Sequence, residues 1–121
     1  MRAPTRRRAV LRPRLRVLRG TEVALGPGKV ALLEAIGRER TMAGAARALG
    51  MSYMRAWTLV RTMNRSFRRP LVEAARGGAG RGATRLTPAG TAVLRLYREM
   101  ERRSLGAAAG PWRQLRRRLK P

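Results

Sequence analysis

The segment TMAGAARALGMSYMRAWTLVRTMNRSF, residues 41–67, limits the possible folds of this chain more than any other stretch. Its apolar residues repeat at helical spacing in two runs, and Gly50 separates the two runs. Thr41 and Ser52 stand at the two helix starts, where a side-chain oxygen can cap the first turn. The small alanines of the first run would let the helices approach closely. Two helices joined by a turn of about three residues that contains glycine are typical of a helix-turn-helix.

Two further elements precede this segment. The short runs Leu15–Arg19 and Glu22–Leu25 alternate apolar and polar residues on either side of a Gly-Thr pair, which predicts a small hairpin. Pro27 then suits the first turn of a helix. Residues 29–37 carry apolar side chains at helical spacing, and this spacing predicts the first helix.

The residues that follow the segment predict a second hairpin and a long helix. Pro70 ends the preceding helix, and residues 71–75 and 85–86 are strand candidates on either side of a glycine-rich stretch. Thr87 can cap a last helix, which continues at helical spacing to about Ser104. We expect Gly106 and the following Gly-Pro pair to end the ordered part of the chain.

The glycine-rich stretch RGGAGRGATRLTPAG, residues 76–90, partly matches a phosphate-binding loop. Gly77 and Gly82 have the spacing of such a loop, and Thr84 stands where its hydroxyl group should be. Ala83 replaces the lysine that would reach the terminal phosphates of a nucleotide. No acidic cluster that would hold magnesium follows in the sequence. We therefore expect no nucleotide site.

The position of the glycines favours a wing instead, because two strand candidates flank them directly after the helix-turn-helix. The predicted fold is mainly α-helical with a small β-hairpin wing: a winged helix-turn-helix with an N-terminal hairpin and a long C-terminal helix. Three arginines of the wing would reach a phosphate backbone or the minor groove of DNA. They are Arg76, Arg81 and Arg85. The alternative is a plain hairpin that is exposed to solvent.

The charge of the chain indicates an anionic partner. It has 29 basic residues, of which only Lys29 and Lys120 are lysine, and six acidic ones, so the formal net charge is +23. Such a surface attracts a polyanion by counterion release, and arginine binds phosphates and guanine edges bidentately. The absence of His, Cys and Asp removes the commonest general base and metal ligand and all thiolate chemistry. We predict double-stranded DNA as the partner, no enzyme activity and no cofactor.

Charge and apolar periodicity divide the chain into three parts. We expect a disordered basic arm over residues 1–14, a folded domain over residues 15–104 and a basic tail over residues 105–121. The arm and the tail would add affinity for DNA without adding specificity. No apolar run approaches the roughly 20 residues of a membrane span, so we expect no membrane partner and a cytoplasmic location.

A series of motifs occurs in a defined order along most of the chain. The motifs are LLEAI (32–36), MAGAARALGMSY (42–53), AW (56–57), MN (63–64), PLVE (70–73), GG (77–78) and LTPAG (86–90). In this order they resemble the N-terminal DNA-binding domain of ModE-type molybdate-responsive regulators and, more distantly, the winged helix-turn-helix of LysR-type regulators. The combination of MSYxxAW with a glycine-rich wing and LTPAG makes the resemblance specific.

The resemblance implies a winged helix-turn-helix that dimerises through its long C-terminal helix and binds an operator palindrome. Full-length members of the ModE family sense molybdate through further C-terminal domains. Because the chain ends at Pro121, we expect no such domain. We identify no small-molecule effector.

The second helix of the helix-turn-helix is predicted to contact DNA. Arg55 and Thr58 lie opposite its apolar face and near its N-terminal end, so we expect them to contact base edges in the major groove. Met54 would lie against a thymine methyl group. Arg61 and Arg65 lie further along the helix and are expected to contact phosphate.

The residues around the two helix starts have mixed roles. Thr41 and Ser52 are caps first, and we expect both also to contact the DNA backbone. Tyr53 and Trp57 lie at the edge of the core-facing side, and we expect both to pack in the core. For the charged residues of this surface, the alternative is an ordinary solvated face.

The last helix carries more apolar surface than a lone terminal helix needs. Its apolar residues at helical spacing are Val93, Leu94, Tyr97 and Met100. They would pack either against their own domain or against a second chain, and the resemblance favours a second chain. We therefore expect a homodimer.

The sequence thus predicts a sequence-specific, DNA-binding transcription regulator. One alternative is a non-specific architectural DNA-binding protein, for which a net charge of +23 is ample. Another is a protein-interaction adaptor whose basic face meets an acidic partner. The affinity ratio between DNA sequences separates the first two functions, and the salt dependence of DNA binding separates both from the adaptor.

Overall fold

A computed structural model describes residues 8–75 and 82–121 of the chain. This part forms two short antiparallel hairpins and four helices. In chain order they are β1 (Val17–Arg19), β2 (Glu22–Leu25), α1 (Pro27–Glu39), α2 (Met42–Ala48), α3 (Tyr53–Ser66), β3 (Val72–Ala74), β4 (Thr84–Leu86) and α4 (Pro88–Arg116). β1 pairs with β2 and β3 pairs with β4. The predicted winged helix-turn-helix with an N-terminal hairpin is confirmed.

The core forms around α1, whose apolar side chains are fully buried. Leu32, Leu33 and Ile36 have no exposed surface, and helices α2, α3 and α4 pack around them. Ala45 of α2 and Ala56 of α3 are also fully buried. Their small side chains allow the two helices of the helix-turn-helix to lie close together, as the sequence predicts.

The turn between α2 and α3 depends on one backbone conformation. Gly50 has a φ of +65°, in the left-handed region that favours glycine. The Met51 amide then donates to the Ala46 carbonyl over 3.0 Å and ends α2. Ser52 caps α3, since its Oγ accepts from the Arg55 amide over 3.1 Å. These contacts set the angle at which α3 leaves the domain surface.

The wing is attached to the helix-turn-helix by contacts that the sequence analysis did not predict. The Asn64 side chain of α3 accepts from the Leu71 and Val72 amides, over 2.8 and 3.2 Å, and donates to the Val72 carbonyl over 3.0 Å. At the other strand, the Thr84 amide donates to the Arg40 carbonyl over 2.9 Å. Both strands of the wing are therefore held at their base.

The start of α4 packs directly against the backbone of the wing. Thr87 caps the helix by accepting from the Gly90 amide over 3.0 Å, and its hydroxyl donates to the Pro70 carbonyl over 2.6 Å. A methyl group on Gly90 would lie 3.0 Å from the Leu71 carbonyl carbon and collide with its oxygen. The LTPAG motif therefore encodes a close approach of a helix to a strand.

Helix α4 continues well beyond the predicted end at Ser104. It runs to Arg116 and includes Gly106 and Pro111, so the predicted boundary between residues 104 and 105 falls inside a helix. The prediction of the helix end is wrong, because glycine and proline were weighted as isolated breakers. Residues 107–109 are alanines, the strongest helix formers, and Trp112 lines a surface groove together with Val10 of the N-terminal segment.

The N-terminal segment, residues 8–16, has no regular secondary structure but crosses the domain in a defined position. We call it the strap. Its anchor is Leu15, whose carbonyl accepts a hydrogen bond of 2.8 Å from the Tyr97 hydroxyl of α4. Burial raises the pKa of this tyrosine. Of the basic arm predicted over residues 1–14, residues 1–7 lie outside the described part of the chain.

Candidate nucleic-acid interface

The outward face of α3 presents a small set of exposed side chains. Met54 is 76% exposed, and Thr58 and Arg61 are exposed one turn and two turns further along. The Thr58 hydroxyl donates to the Met54 carbonyl over 2.9 Å, which leaves its oxygen free to accept a hydrogen bond. This face can offer an apolar contact, a hydrogen-bond acceptor and a guanidinium group to the major groove.

The last turn of α3 is connected to the N-terminal hairpin. An Arg65 amino group lies 3.8 Å from a Glu22 carboxylate oxygen, and Arg19 donates to the Arg65 carbonyl over 3.5 Å. Both partners of the ion pair are largely exposed, so the pair is weak. Arg65, which the sequence assigns to phosphate contact, can therefore exchange Glu22 for a phosphate at little cost.

Arg55 is exposed, and it also lines a groove that α3 forms with the first turn of α1 and with the strap. Leu59, one turn further along α3, lies in the same groove. The strap crosses this flank of α3, and helical spacing alone does not reveal its position.

The two aromatic residues of α3 differ in burial. Trp57 is half-buried and packs against the core, which agrees with the prediction. Tyr53 is 55% exposed, so the prediction that it packs in the core is wrong. It lies in the first turn of α3, beyond the edge of α2, and contacts Trp57 edge-to-face with ring centroids 6.4 Å apart.

Of the three arginines that the sequence assigns to the wing, Arg76 and Arg81 lie outside the described residues. Arg85 projects from β4 and is exposed. Its Nε donates to a Glu73 carboxylate oxygen of β3 over 2.9 Å. Because the pair is largely exposed, solvent and salt weaken it.

The two caps that the sequence assigns to the DNA backbone face different surroundings. Ser52 is exposed at the start of α3. Thr41 is half-buried, because its hydroxyl oxygen accepts from the Gly44 amide over 3.0 Å and its backbone bridges to Ala83 of the wing. Ser52 is therefore the more accessible of the two to a phosphate.

Positive and negative charges separate on this molecule. No acidic residue occurs between Glu39 and Glu73, so the entire helix-turn-helix is free of carboxylates. On the opposite side, Arg98 of α4 pairs with Glu34 and Glu101, and the hydrogen bond to Glu101 raises the pKa of Arg98. Within the described residues, the ion pair that reaches α3 is the weak one between Glu22 and Arg65, so the helix-turn-helix keeps a net positive charge.

The four residues assigned to a dimer interface do not form one exposed surface. Tyr97 is 1% exposed and packs in the core of its own chain, so it has no surface to offer a second chain. Val93 and Leu94 are half-buried against the same core. Met100 is 42% exposed, and Leu96, which the sequence analysis did not select, is 51% exposed one turn before it.

The described residues hold no group of three His, Cys, Asp or Glu side chains that could bind a metal ion. Within residues 8–75 and 82–121, no helix is both long and apolar enough to cross a membrane.

A helix-turn-helix free of carboxylates, with a wing and an exposed second helix, defines a winged helix-turn-helix DNA-binding protein. The family of bacterial regulatory helix-turn-helix proteins, lysR family, matches residues 28–91, more than half of the chain. The protein belongs to this family of regulators.

Curated relatives with related names match part of this chain. The molybdenum-pterin-binding proteins MopA and MopB of Rhodobacter capsulatus are 51% identical over 70 residues and 44% identical over 85 residues. The DNA-binding transcriptional dual regulator ModE of Escherichia coli K12 is 35% identical over 71 residues. These matches cover 58%, 70% and 59% of this chain, but only 26%, 32% and 27% of the relatives. The resemblance to ModE-type regulators is confirmed.

Proposed function

We propose that this protein is a sequence-specific transcription regulator that places α3 in the major groove of DNA. The observation that carries this function is the helix-turn-helix without a single carboxylate, whose second helix exposes Met54, Thr58 and Arg61. Side chains of three different chemistries on one face are suited to distinguishing base pairs. A regulator of this kind acts in the cytoplasm, where its DNA target lies.

The contacts in this proposal divide by chemistry. Met54 lies against a thymine methyl group, and Thr58 faces base edges. The sequence assigns Arg61 to phosphate, but we propose that it also faces base edges, because it is exposed on the same face of α3. The phosphate backbone is contacted around this face by residues from three elements. These are Thr41, Ser52, Arg65 and the wing arginines Arg76, Arg81 and Arg85. The wing contacts extend to the minor groove if its arginines insert there.

We further propose a homodimer that is formed through α4. Leu96 and Met100 lie one helical turn apart and form an exposed apolar pair, which a second copy of the helix would cover. A two-fold arrangement would place two α3 helices about 34 Å apart, so each would occupy one half of an inverted repeat. The names of the molybdenum-pterin-binding relatives make genes related to molybdenum the targets to examine first.

The test is to incubate the protein with sheared genomic DNA at near-physiological salt and to sequence the fragments that it retains. A shared inverted repeat, with half-sites one helical turn apart, is the expected result. Retained fragments without a common motif would instead favour the architectural function, and no retention would favour the adaptor.

Two variants test whether α3 recognises the DNA sequence motif. Met54→Ala should relax the preference at a single base pair of each half-site, by about 1–3 kcal/mol. Leu115→Ala is the matched control, because Leu115 is also an exposed apolar residue but lies at the far end of α4. The control should leave the motif unchanged. An unchanged motif in Met54→Ala would remove this side chain from the base contacts.

A further inference from the structure

A basic groove lies beside the exposed face of α3, between the strap, the first turn of α1 and α3 itself. Its volume is about 350 Å³, several times the roughly 30 Å³ that one water molecule occupies in the liquid. Four cationic residues line it: Arg14 and Arg16 of the strap, Lys29 of α1 and Arg55 of α3. No acidic residue lines it. We call it the strap groove.

The strap groove is held in place by contacts with the folded domain. The strap is fixed at Leu15 by the hydrogen bond from the buried Tyr97 hydroxyl, which positions Arg14 and Arg16 on either side. The aliphatic stem of Arg16 lies over Gly26, since a methyl group there would be 3.7 Å from Arg16 Cγ. Lys29 Nζ donates to the Val23 carbonyl over 2.5 Å. The strap is therefore held beside the groove that the four cationic residues line.

The four cations of the strap groove are uncompensated within the described part of the chain. None of them forms an ion pair there, whereas the nearby Glu22 on the hairpin pairs with Arg65. Cations gathered at one groove repel one another, and this repulsion is relieved when an anion binds between them. The groove thus has the charge, the room and the rigidity of an anion-binding surface.

Its place on the molecule identifies the anion. Arg55 belongs both to the strap groove and to the helix that the proposed function places in the major groove. The rim of a major groove is a phosphate backbone, so a duplex that receives α3 brings phosphates to the flank on which the strap groove lies. We propose that the strap groove binds backbone phosphates of the same duplex, and that Arg55 contacts phosphate instead of a base edge. This inference rests on the proposed function.

The first experiment measures DNA affinity against salt concentration for Arg14→Gln/Arg16→Gln. Each lost phosphate contact reduces the slope of log K against log salt by about 0.9, so the double variant should lose about 1.8 for each protomer on the DNA. The loss should be equal on the operator and on an unrelated duplex. The matched control is Arg95→Gln/Arg102→Gln, which removes the same charge from two exposed positions of α4. It should keep most of the slope.

The outcomes separate this inference from the proposed function. If the double variant and the control have equal slopes, the proposal that the strap groove binds phosphates is overturned. Binding of DNA by the wild-type protein would in that case still uphold the DNA-binding function. Wild-type protein that fails to bind DNA would overturn both. A loss of slope in the double variant but not in the control supports the proposal that the strap groove binds phosphates.

The second experiment concerns Arg55 alone. Arg55→Ala should weaken binding to all sequences equally and reduce the salt slope by about 0.9 for each protomer on the DNA, with the preferred motif unchanged. If the preference at one base pair is relaxed and the salt slope equals that of the wild type, Arg55 contacts a base edge and does not contact phosphate.

Discussion

The two halves of α4 belong to one continuous helix but differ in what surrounds them. In the first half, residues 88–104, Gly90 and Tyr97 are buried and Arg98 bonds Glu34 of α1. In the second half, residues 105–116, no residue is fully buried, and Gly106 has no neighbour within 4 Å of an added methyl group. The first half is part of the DNA-binding domain, whereas the second half projects from it.

The difference shows two ways in which a helix is specified. In the first half, the neighbouring elements determine which residue type each position accepts. A larger side chain would collide with a neighbouring element, and a side chain of different polarity would lose its hydrogen-bond partner. In the second half, intrinsic helix propensity decides, and the strap residue Val10 lines a surface groove together with Trp112. The same substitution should therefore have opposite effects in the two halves, and two glycines provide the matched pair.

Gly90→Ala should have the largest effect. Its methyl group would collide with the Leu71 carbonyl oxygen, and the backbone on that side has no rotamer by which to move away. We expect a loss of stability of up to about 3 kcal/mol or failure to fold, since overpacking against the backbone separates α4 from the wing. Urea unfolding of the variant and of the wild type measures the loss.

An unchanged midpoint for Gly90→Ala would show that α4 does not pack against Leu71, and the contrast between the two halves would disappear. If the variant does not fold, Thr87→Ser provides a milder probe at the same contact. Serine keeps the hydroxyl that caps α4 and bonds Pro70, so this variant should remain close to the wild type.

The sequence predicts the helix-turn-helix well because its signals are local. The caps at Thr41 and Ser52 and the turn at Gly50 each act within a few residues, and the structure has all three as predicted. The role of Asn64 was missed, because its partners in β3 lie seven and eight residues away and require the strand to be in place. Local signals describe a motif but not what packs against it.

The end of α4 shows what a single residue type cannot predict. Glycine and proline predict a helix end at Ser104, whereas the three alanines that follow Gly106 favour continuation of the helix to Arg116. Helical spacing likewise places Arg55 on one side of α3 but does not reveal that the strap lines a groove on that flank. The strap lacks regular structure, so its path has no periodic signal in the sequence.

The second expected effect is a loss of stability at alkaline pH that depends on the first half of α4. Burial, with a smaller contribution from Glu101, raises the pKa of Tyr97 above its ordinary 10.0, against the lowering effects of Arg98 and Arg14. The unfolded chain therefore loses this proton at lower pH than the folded chain does. Stability is fully present below pH 10 and falls as the pH rises above it.

Unfolding of Tyr97→Phe across pH 8–12 measures this dependence. The variant should be less stable at pH 8, because Leu15 loses its hydrogen bond, but its stability should fall less above about pH 10. Tyr53→Phe is the control, since Tyr53 is the other tyrosine and is exposed. The full alkaline loss in Tyr97→Phe would mean that the hydroxyl is not buried against the strap.

The smallest expected effect is that of Gly106→Ala, the counterpart of Gly90→Ala in the second half of α4. The added methyl group meets nothing, and alanine is favoured over glycine in a helix by about 1 kcal/mol. The free energy of local opening, measured by hydrogen exchange of the amides of residues 107–116, should rise by up to about 1 kcal/mol. The urea midpoint should barely change, because this half does not share the core. If α4 ended at Ser104, the substitution would leave hydrogen exchange unaltered. A rise in protection confined to residues 107–116 would show that the helix continues beyond Ser104 and that the stability of this half does not depend on the core.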